Sequence, residues 1–524
     1  MLGVRRFGIL GLVALMGCGC TPEAGSPFAS AEPDDDDDDD TPRPIALGEA
    51  GIRLGDPVAC SNPGTGRFTD VSAAAGISEL PALADDYPAD ERYDPAPLGH
   101  SSSDVESQGG LAVGDFDGDG HLDLGWAQLG APPRLYLGDG ALGFTPWDLE
   151  LPPAHYVMFS AVDVEGDGDT DLYFGTGSEN LLMEATSAGF VDSTAEFGLD
   201  GEDTHTFTAA WADFDRDGDL DLLLGSYGDG SMAPGALSVS DPDVLLVQRD
   251  GVFEADEAIL PPADPSGHTF AAGWFDADDD GWLDLYAVSD LGRQPEHLPN
   301  RFLRNDGGQL VPAPEAGLDV RMLSMGLALG DMDGDGDTDL HVSNAGSSFL
   351  ARNDDGLFVD LSLTVEALSN RSDGDISWGT DFVDVDNDGS LELFTAFGHM
   401  PTKSGPDAGG GPEGTANDNA QLDTLWRWQG GAYVDVAPDL GLADPAWTRT
   451  MVPADFDRDG TPEFLTWSLD QGARLHTAGC SDNAWLRVKL EGRGSNVAAI
   501  GAQVTARTER GDIVRNLNAG STGT

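Results

Sequence analysis

The apolar positions of this chain fall in short runs separated by polar, glycine-rich turns, the pattern of many short strands rather than of helices. A run such as Gly110-Leu-Ala-Val-Gly114 or Met325-Gly-Leu-Ala-Leu329 leads into an acidic loop. A second run leaves it, as in Leu122-Asp123-Leu124 and Leu220-Asp221-Leu222-Leu223. A third follows, as in Arg134-Leu-Tyr-Leu137, Asp243-Val-Leu-Leu-Val247 and Asn300-Arg-Phe-Leu303. After a Gly/Asp/Asn turn comes a fourth resembling G-x-F-x-D, as in Gly189-Phe-Val-Asp192 and Gly356-Leu-Phe-Val-Asp360. Four antiparallel strands per unit make one propeller blade.

The acidic loop has the form D-x-D/E-x-D-G-x-x-D/E and occurs seven times, starting at Asp115, Asp163, Asp213, Asp276, Asp331, Asp384 and Asp455. Successive starts lie 48, 50, 63, 55, 53 and 71 residues apart, the spacing of one supersecondary unit per copy. The expected fold is therefore all-β, a seven-bladed β-propeller. Each loop is also a candidate Ca²⁺ cage, because the ion wants six to eight oxygens at about 2.3–2.6 Å. Acids at positions 1, 3 and 5 converge, glycine at position 6 allows the bend, position 7 offers its carbonyl, and the acid at position 9 closes the shell. An acid at position 9, with strands rather than helices around it, separates these loops from EF-hands.

The candidate ligands are Asp115, Asp117, Asp119, His121 and Asp123 in loop one, and Asp163, Glu165, Asp167, Asp169 and Asp171 in loop two. Loop three offers Asp213, Asp215, Asp217, Asp219 and Asp221, and loop four Asp276, Asp278, Asp280, Trp282 and Asp284. Loop five has Asp331, Asp333, Asp335, Asp337 and Asp339; loop six has Asp384, Asp386, Asp388, Ser390 and Glu392. Loop seven has Asp455, Asp457, Asp459, Thr461 and Glu463. About seven structural Ca²⁺ ions follow, relieving repulsion among carboxylates a few ångströms apart.

The last repeat lacks a fourth strand, whereas Gly66-Arg67-Phe68-Thr69-Asp70, ahead of the first repeat, has that strand's pattern. The expectation is that residues 66–70 complete blade seven and close the ring, since an open propeller would leave strand edges free to aggregate.

Charge narrows the partners. The 524-residue chain carries a formal net charge of −68, which disfavours nucleic acid and anionic membrane and suits cations, basic proteins or neutral glycans. At the N-terminus Arg5-Arg6, an apolar run from Phe7 to Met16 and Gly17-Cys18 have the parts of an export signal. Leu15-Met16-Gly17-Cys18 looks like a lipobox, which makes Cys18 the lipidated residue; an ordinary cleaved signal peptide is the alternative. Residues 18–62, with seven aspartates from Asp34 to Asp40, are expected to form an extended acidic linker. Cys60 and Cys480 flank the repeats and would pair in an oxidising compartment, stapling the ring's seam.

The repeats resemble the FG-GAP/VCBS repeats found in integrin α subunits. Phe68-Thr-Asp-Val-Ser-Ala-Ala-Ala-Gly-Ile77, the seven loops and Trp378-Gly-Thr-Asp-Phe-Val-Asp-Val-Asp-Asn-Asp-Gly389 are similar to the cartilage acidic protein family and its bacterial relatives. In that family an ASPIC/UnbV module follows. Asn483-Ala-Trp-Leu-Arg-Val-Lys-Leu490, Ser495-Asn496 and Ile500-Gly-Ala-Gln-Val504 resemble its opening. The expected organisation is a signal peptide (1–17), the linker (18–62), the propeller (63–480) and a partial C-terminal β module (481–524).

Three histidines, His155, His205 and His268, each precede a loop's first Asp by eight residues. They belong to the face opposite the acidic loops, as repeat-inherited surface imidazoles or as a ligand rim. Long connections at about 225–242, 287–299 and 398–423 join second to third strands on that face. Gly138-Asp-Gly-Ala-Leu-Gly143 spells a dinucleotide fingerprint but sits between strands, so it reads as a hairpin. Arg510-Gly511-Asp512 likewise reads as a turn. The expected function is a cell-surface binding or adhesion module for protein or glycan, not an enzyme, exported and lipid-anchored. The alternatives are a polysaccharide-acting or peroxidase-associated enzyme on the channel face, and a structural envelope component.

Overall fold

The computed structural model describes residues 66–77 and 109–520, apart from 129–130, 153, 155, 177–178, 201–205, 228–240, 257, 262–267, 291–297, 364, 366–374, 399–420, 431, 482, 493 and 509–510. It also describes the backbone of four short strands, Leu2–Val4, Gly11–Met16, Arg43–Ile45 and Ile52–Leu54. Cys18, the aspartate run, Cys60, His155 and His205 lie outside the described residues.

Seven sheets, each begun by an inner strand that leads into an acidic loop, form the seven-bladed β-propeller. The inner strands are Gly109–Gly114, Tyr156–Val162, Thr206–Ala212, Thr269–Phe275, Ser324–Gly330, Ser377–Val383 and Thr448–Ala454. Each second strand starts on the acid at loop position 9. From blade two onward these strands are buried along their whole length, as in Asp171–Thr176 and Asp284–Ser289. Burial on both faces is why they read as continuous apolar runs.

The core is a set of layers, one between each pair of neighbouring blades. Trp211, Leu222 and Leu246 of blade three, for example, pack on Met158, Val162 and Tyr173 of blade two. The layer between blades six and seven holds Phe68, Phe394, Met451 and Phe464. Thr69–Asp70 pairs with the third strand of blade seven, Thr69 opposite Thr477 and Asp70 opposite His476. Residues 66–70 therefore do close the ring. One polar device marks them as an outer strand. The Leu475 N–H donates to Ser72 Oγ (2.9 Å), as Leu182 N–H does to Thr194 Oγ1 (3.0 Å) and Leu350 N–H to Ser362 Oγ (3.0 Å). Cys480 is disulfide-bonded.

In blades two to seven the pairing of inner and second strands slips at the same place, six residues before the loop. A bulge there re-aims a side chain, and the re-aimed residues are Val157, Phe207, Phe270, Met325, Trp378 and Arg449. Five of them form one buried cluster on the axis. The Phe270 and Trp378 rings, from blades that are not neighbours, lie 6.2 Å apart, and the Arg449 guanidinium sits 4.0 Å over Trp378. The end of the channel away from the acidic loops is thus filled. His268, on that side, is 3% exposed, with its ring edge-on to Tyr227 at 5.5 Å.

Candidate metal centres

Every acidic loop is folded by the same internal hydrogen bonds. The position-5 carboxylate accepts the position-7 N–H in all seven: His121 to Asp119 (2.8 Å), Asp169 to Asp167 (2.9 Å), Asp219 to Asp217 (2.9 Å) and Trp282 to Asp280 (2.8 Å). Asp337 to Asp335 (3.0 Å), Ser390 to Asp388 (2.8 Å) and Thr461 to Asp459 (2.8 Å) complete the set. The glycine N–H at position 6 donates to the position-1 Asp, as from Gly120 to Asp115 (2.9 Å) and from Gly389 to Asp384 (3.0 Å). That glycine is left-handed throughout, from φ 88° at Gly120 to 104° at Gly336. Position 4 is left-handed too, although it holds Arg216, Asp279, Asn387 and Arg458 in four loops. Arginine is disfavoured there, so the loops impose the bend.

The position-9 acid does more than the sequence suggested. One of its oxygens accepts the N–H of loop position 2, from Phe116 to Asp123 (2.6 Å) through Phe456 to Glu463 (3.0 Å). In blades one to five the other accepts a backbone N–H of the third strand. The donors are Gly138 to Asp123 (2.7 Å), Ala185 to Asp171 (2.8 Å), Gln248 to Asp221 (3.0 Å), Asn305 to Asp284 (2.7 Å) and Asn353 to Asp339 (2.8 Å). In blades six and seven the longer glutamate takes a side-chain donor instead: Arg427 Nε to Glu392 (2.7 Å) and Thr477 Oγ1 to Glu463 (2.9 Å).

Three of those third-strand residues also reach into the preceding blade. Gln248 Nε2 donates to the Val164 carbonyl (3.1 Å), Asn305 Nδ2 to the Phe214 carbonyl (2.8 Å) and Asn353 Nδ2 to the Ala277 carbonyl (2.8 Å). Each carbonyl belongs to position 2 of the neighbouring loop, so loop order and blade packing are coupled. Asn305→Ala is expected to destabilise the protein by about 1–3 kcal/mol, because buried acceptors lose their donor. A urea denaturation midpoint checks it.

What remains unmatched points inward. Carboxylate oxygens of Asp115, Glu165, Asp213, Asp278, Asp386 and Asp455, at positions 1 or 3 of six loops, are buried without a hydrogen-bond partner. Oxygens of Asp115, Asp117 and Asp123 lie within 4.8 Å of one another, as do those of Asp163, Glu165 and Asp171. The same holds for Asp213, Asp215 and Asp221, for Asp276, Asp278 and Asp280, and for Asp331, Asp333 and Asp339. Burial pushes the position-9 acids up: Asp123 to about 6, Glu392 to about 7, Asp284 and Asp339 to about 8, Asp221 and Glu463 to about 9. Nearby loop carboxylates push the same way. Hard oxygen donors, converging and short of positive charge, fit a hard divalent cation. The loops could bind metal in this way and are consistent with calcium.

Some loops also meet arginines: Arg304 contacts Asp278 of loop four (3.1 Å), and loop six meets two. Arg427 contacts both Asp386 (2.9 Å) and Glu392 (2.7 Å), and Arg515 contacts Asp384 (3.2 Å).

Residues 115–174, 163–224, 276–342 and 331–395 match the model of the FG-GAP-like repeat. Cartilage acidic protein 1 of Mus musculus is 28% identical over 188 residues, 33% of this chain and 25% of that protein. The match thus spans a quarter of that relative's length. Among solved structures, BBS1N in complex with ARL6DN is similar with a TM-score of 0.42 at 9% identity, over 71% of this chain and 92% of that one. The exotype rhamnogalacturonan lyase YesX is similar with a TM-score of 0.39 at 15% identity, over 71% and 72%. The chain is thus a seven-bladed β-propeller, and within it residues 115–224 and 276–395 are FG-GAP-like repeats.

Proposed function

We propose that this protein is a calcium-stabilised, extracytoplasmic binding module that presents a rigid disc to a protein or glycan partner and acts by binding rather than catalysis. The observation that carries the calcium reading is the set of buried, partnerless carboxylate oxygens repeated loop after loop. When bound, the ion would supply the positive charge those oxygens lack. The chain's own residues then fix the platform: position-9 acids tie each loop to its third strand, and Gln248, Asn305 and Asn353 tie blade to blade. A disulfide at Cys480 supports an oxidising compartment; the pairing with Cys60 and a lipid anchor at Cys18 belong to this proposal. Among the described residues, no helix is long and apolar enough to cross a membrane.

The partner surface in this reading is the face opposite the acidic loops, where the second strands end at Ser226, Ser289 and Phe397. Probing protein and glycan arrays with the full chain, in calcium and in chelator, tests it. Calcium-dependent capture of a partner class supports the reading. Turnover of a glycan without retention would replace it with an enzyme.

A further inference from the structure

The segment after the propeller folds onto the acidic-loop face and rests on the loops themselves. It has strands Leu486–Glu491, Gln503–Thr508 and Gly511–Asn516, with a turn at 494–501 between the first two. That turn enters between loops two and three. Asn496 N–H donates to the Gly218 carbonyl (3.2 Å), Leu220 N–H to Ser495 Oγ (2.8 Å), and Ile500 joins the apolar layer between blades two and three. Further round the face, Gln503 Nε2 reaches the Gly336 carbonyl (3.4 Å) and Asn516 Nδ2 the Thr338 hydroxyl (2.6 Å). Asn483 Nδ2 bonds the Asp386 carbonyl (2.9 Å), and Arg515 pairs with Asp384.

The contacts fall repeatedly on position-6 glycines. A Cβ on Gly460 would lie 2.2 Å from the Trp485 ring, and one on Gly389 would lie 3.1 Å from Ile513. The segment then turns to the axis. Ala519–Gly520 adds as a strand to the inner strand of blade three, Ala519 opposite Trp211 and Gly520 opposite Ala210. Just before it, residues 514–518 cover a cavity of about 420 Å³ lined by Leu327, Leu329, Asp381, Phe382, Val514 and Leu517.

We propose that the acidic-loop face is a docking surface whose occupant is the chain's own segment 483–520, and that docking follows the metal state of the loops. The segment grips the backbone carbonyls of Gly218 and Gly336, which the folded loops hold at φ 98° and 104°. Its guanidinium at Arg515 meets a position-1 carboxylate. Loops opened by unneutralised carboxylates would lose the carbonyl contacts, leaving the Arg515–Asp384 pair as the segment's remaining charged tie to the face. Release uncovers the axial cavity and the edge of the inner strand of blade three, an open site for strand addition.

This inference rests on the reading that the loops take calcium. Hydrogen exchange of the full chain tests it, in millimolar calcium and in chelator, with bound metal counted by elemental analysis. Segments 511–520 and 206–212 are expected to exchange about tenfold faster in chelator while second strands 221–226 and 284–289 stay protected. Arg515→Glu in saturating calcium is expected to speed the same two segments alone, and decides the matter if chelator melts the whole propeller. Unchanged exchange in Arg515→Glu, or in chelator with calcium demonstrably removed, overturns the docking proposal and leaves the calcium reading intact. Absence of bound calcium in the untreated protein overturns both.

Discussion

Chelation of divalent ions is expected to lower the melting midpoint of this protein, and to lower it more at pH 8 than at pH 5. Each loop that binds only in the folded state, with ligand at about ten times its dissociation constant, contributes about 1.4 kcal/mol. Seven loops together reach on the order of 10 kcal/mol, which for a chain of this size is about 10 °C. The pH dependence follows from the position-9 acids. Their folded values, about 6 for Asp123 and about 9 for Asp221 and Glu463, lie above the ordinary values near 4. The folded, metal-free protein therefore holds more protons than the unfolded chain through this window. Its stability is fullest below the ordinary carboxylate range and is lost as pH rises toward 9. Calcium competes with those protons, so its stabilising increment grows as pH rises. Calorimetric melts from pH 4 to pH 9, with calcium and with chelator, check both signs. A chelated protein whose midpoint climbs with pH contradicts the account.

The second large effect concerns the seam. Phe68→Ala is expected to destabilise the fold by about 3–5 kcal/mol, the range for emptying a buried phenylalanine site. Phe68 is 3% exposed, and its ring meets Phe464 edge-on at 5.1 Å within the layer between blades six and seven. Deleting residues 66–77 is expected to do more. It removes the outer strand of blade seven, the Ser72 acceptor for Leu475, and Ala75 and Ile77 from the layer between blades seven and one. The freed edge of Gly472–Thr477 then invites intermolecular pairing. Light scattering of the deletion variant should show oligomers or aggregate. A monomer melting at the original temperature means the ring closes some other way.

Much of this was legible from residues. The loops announced themselves by number, and the closing strand by Phe68-Thr-Asp-Val-Ser72, whose likeness to Phe190–Thr194 and Phe358–Ser362 is a shared hydrogen-bonding device. The hairpin reading of residues 138–143 agrees with the strand pair on either side, whereas Gly511 and Asp512, read as part of a turn, belong to a strand opposite Thr508 and Arg507. The left-handed position 4 was hidden because glycine, arginine, aspartate and asparagine all occupy it. The axial cluster was hidden because Val157, Phe207, Phe270, Met325, Trp378 and Arg449 share a bulge and not a residue type. Arg427 and Thr477 replace backbone donors with side chains, a substitution readable only beside Glu392 and Glu463. The resting place of the C-terminal segment depends on contacts such as Leu220 with Ser495, 275 residues apart, which no local pattern encodes.

Since Phe270 and Trp378 meet across the symmetry axis, the described residues give the disc a floor on the side away from the acidic loops. Asp381 lines the cavity on the other side of that floor, and residues 514–518 of the C-terminal segment lie over it.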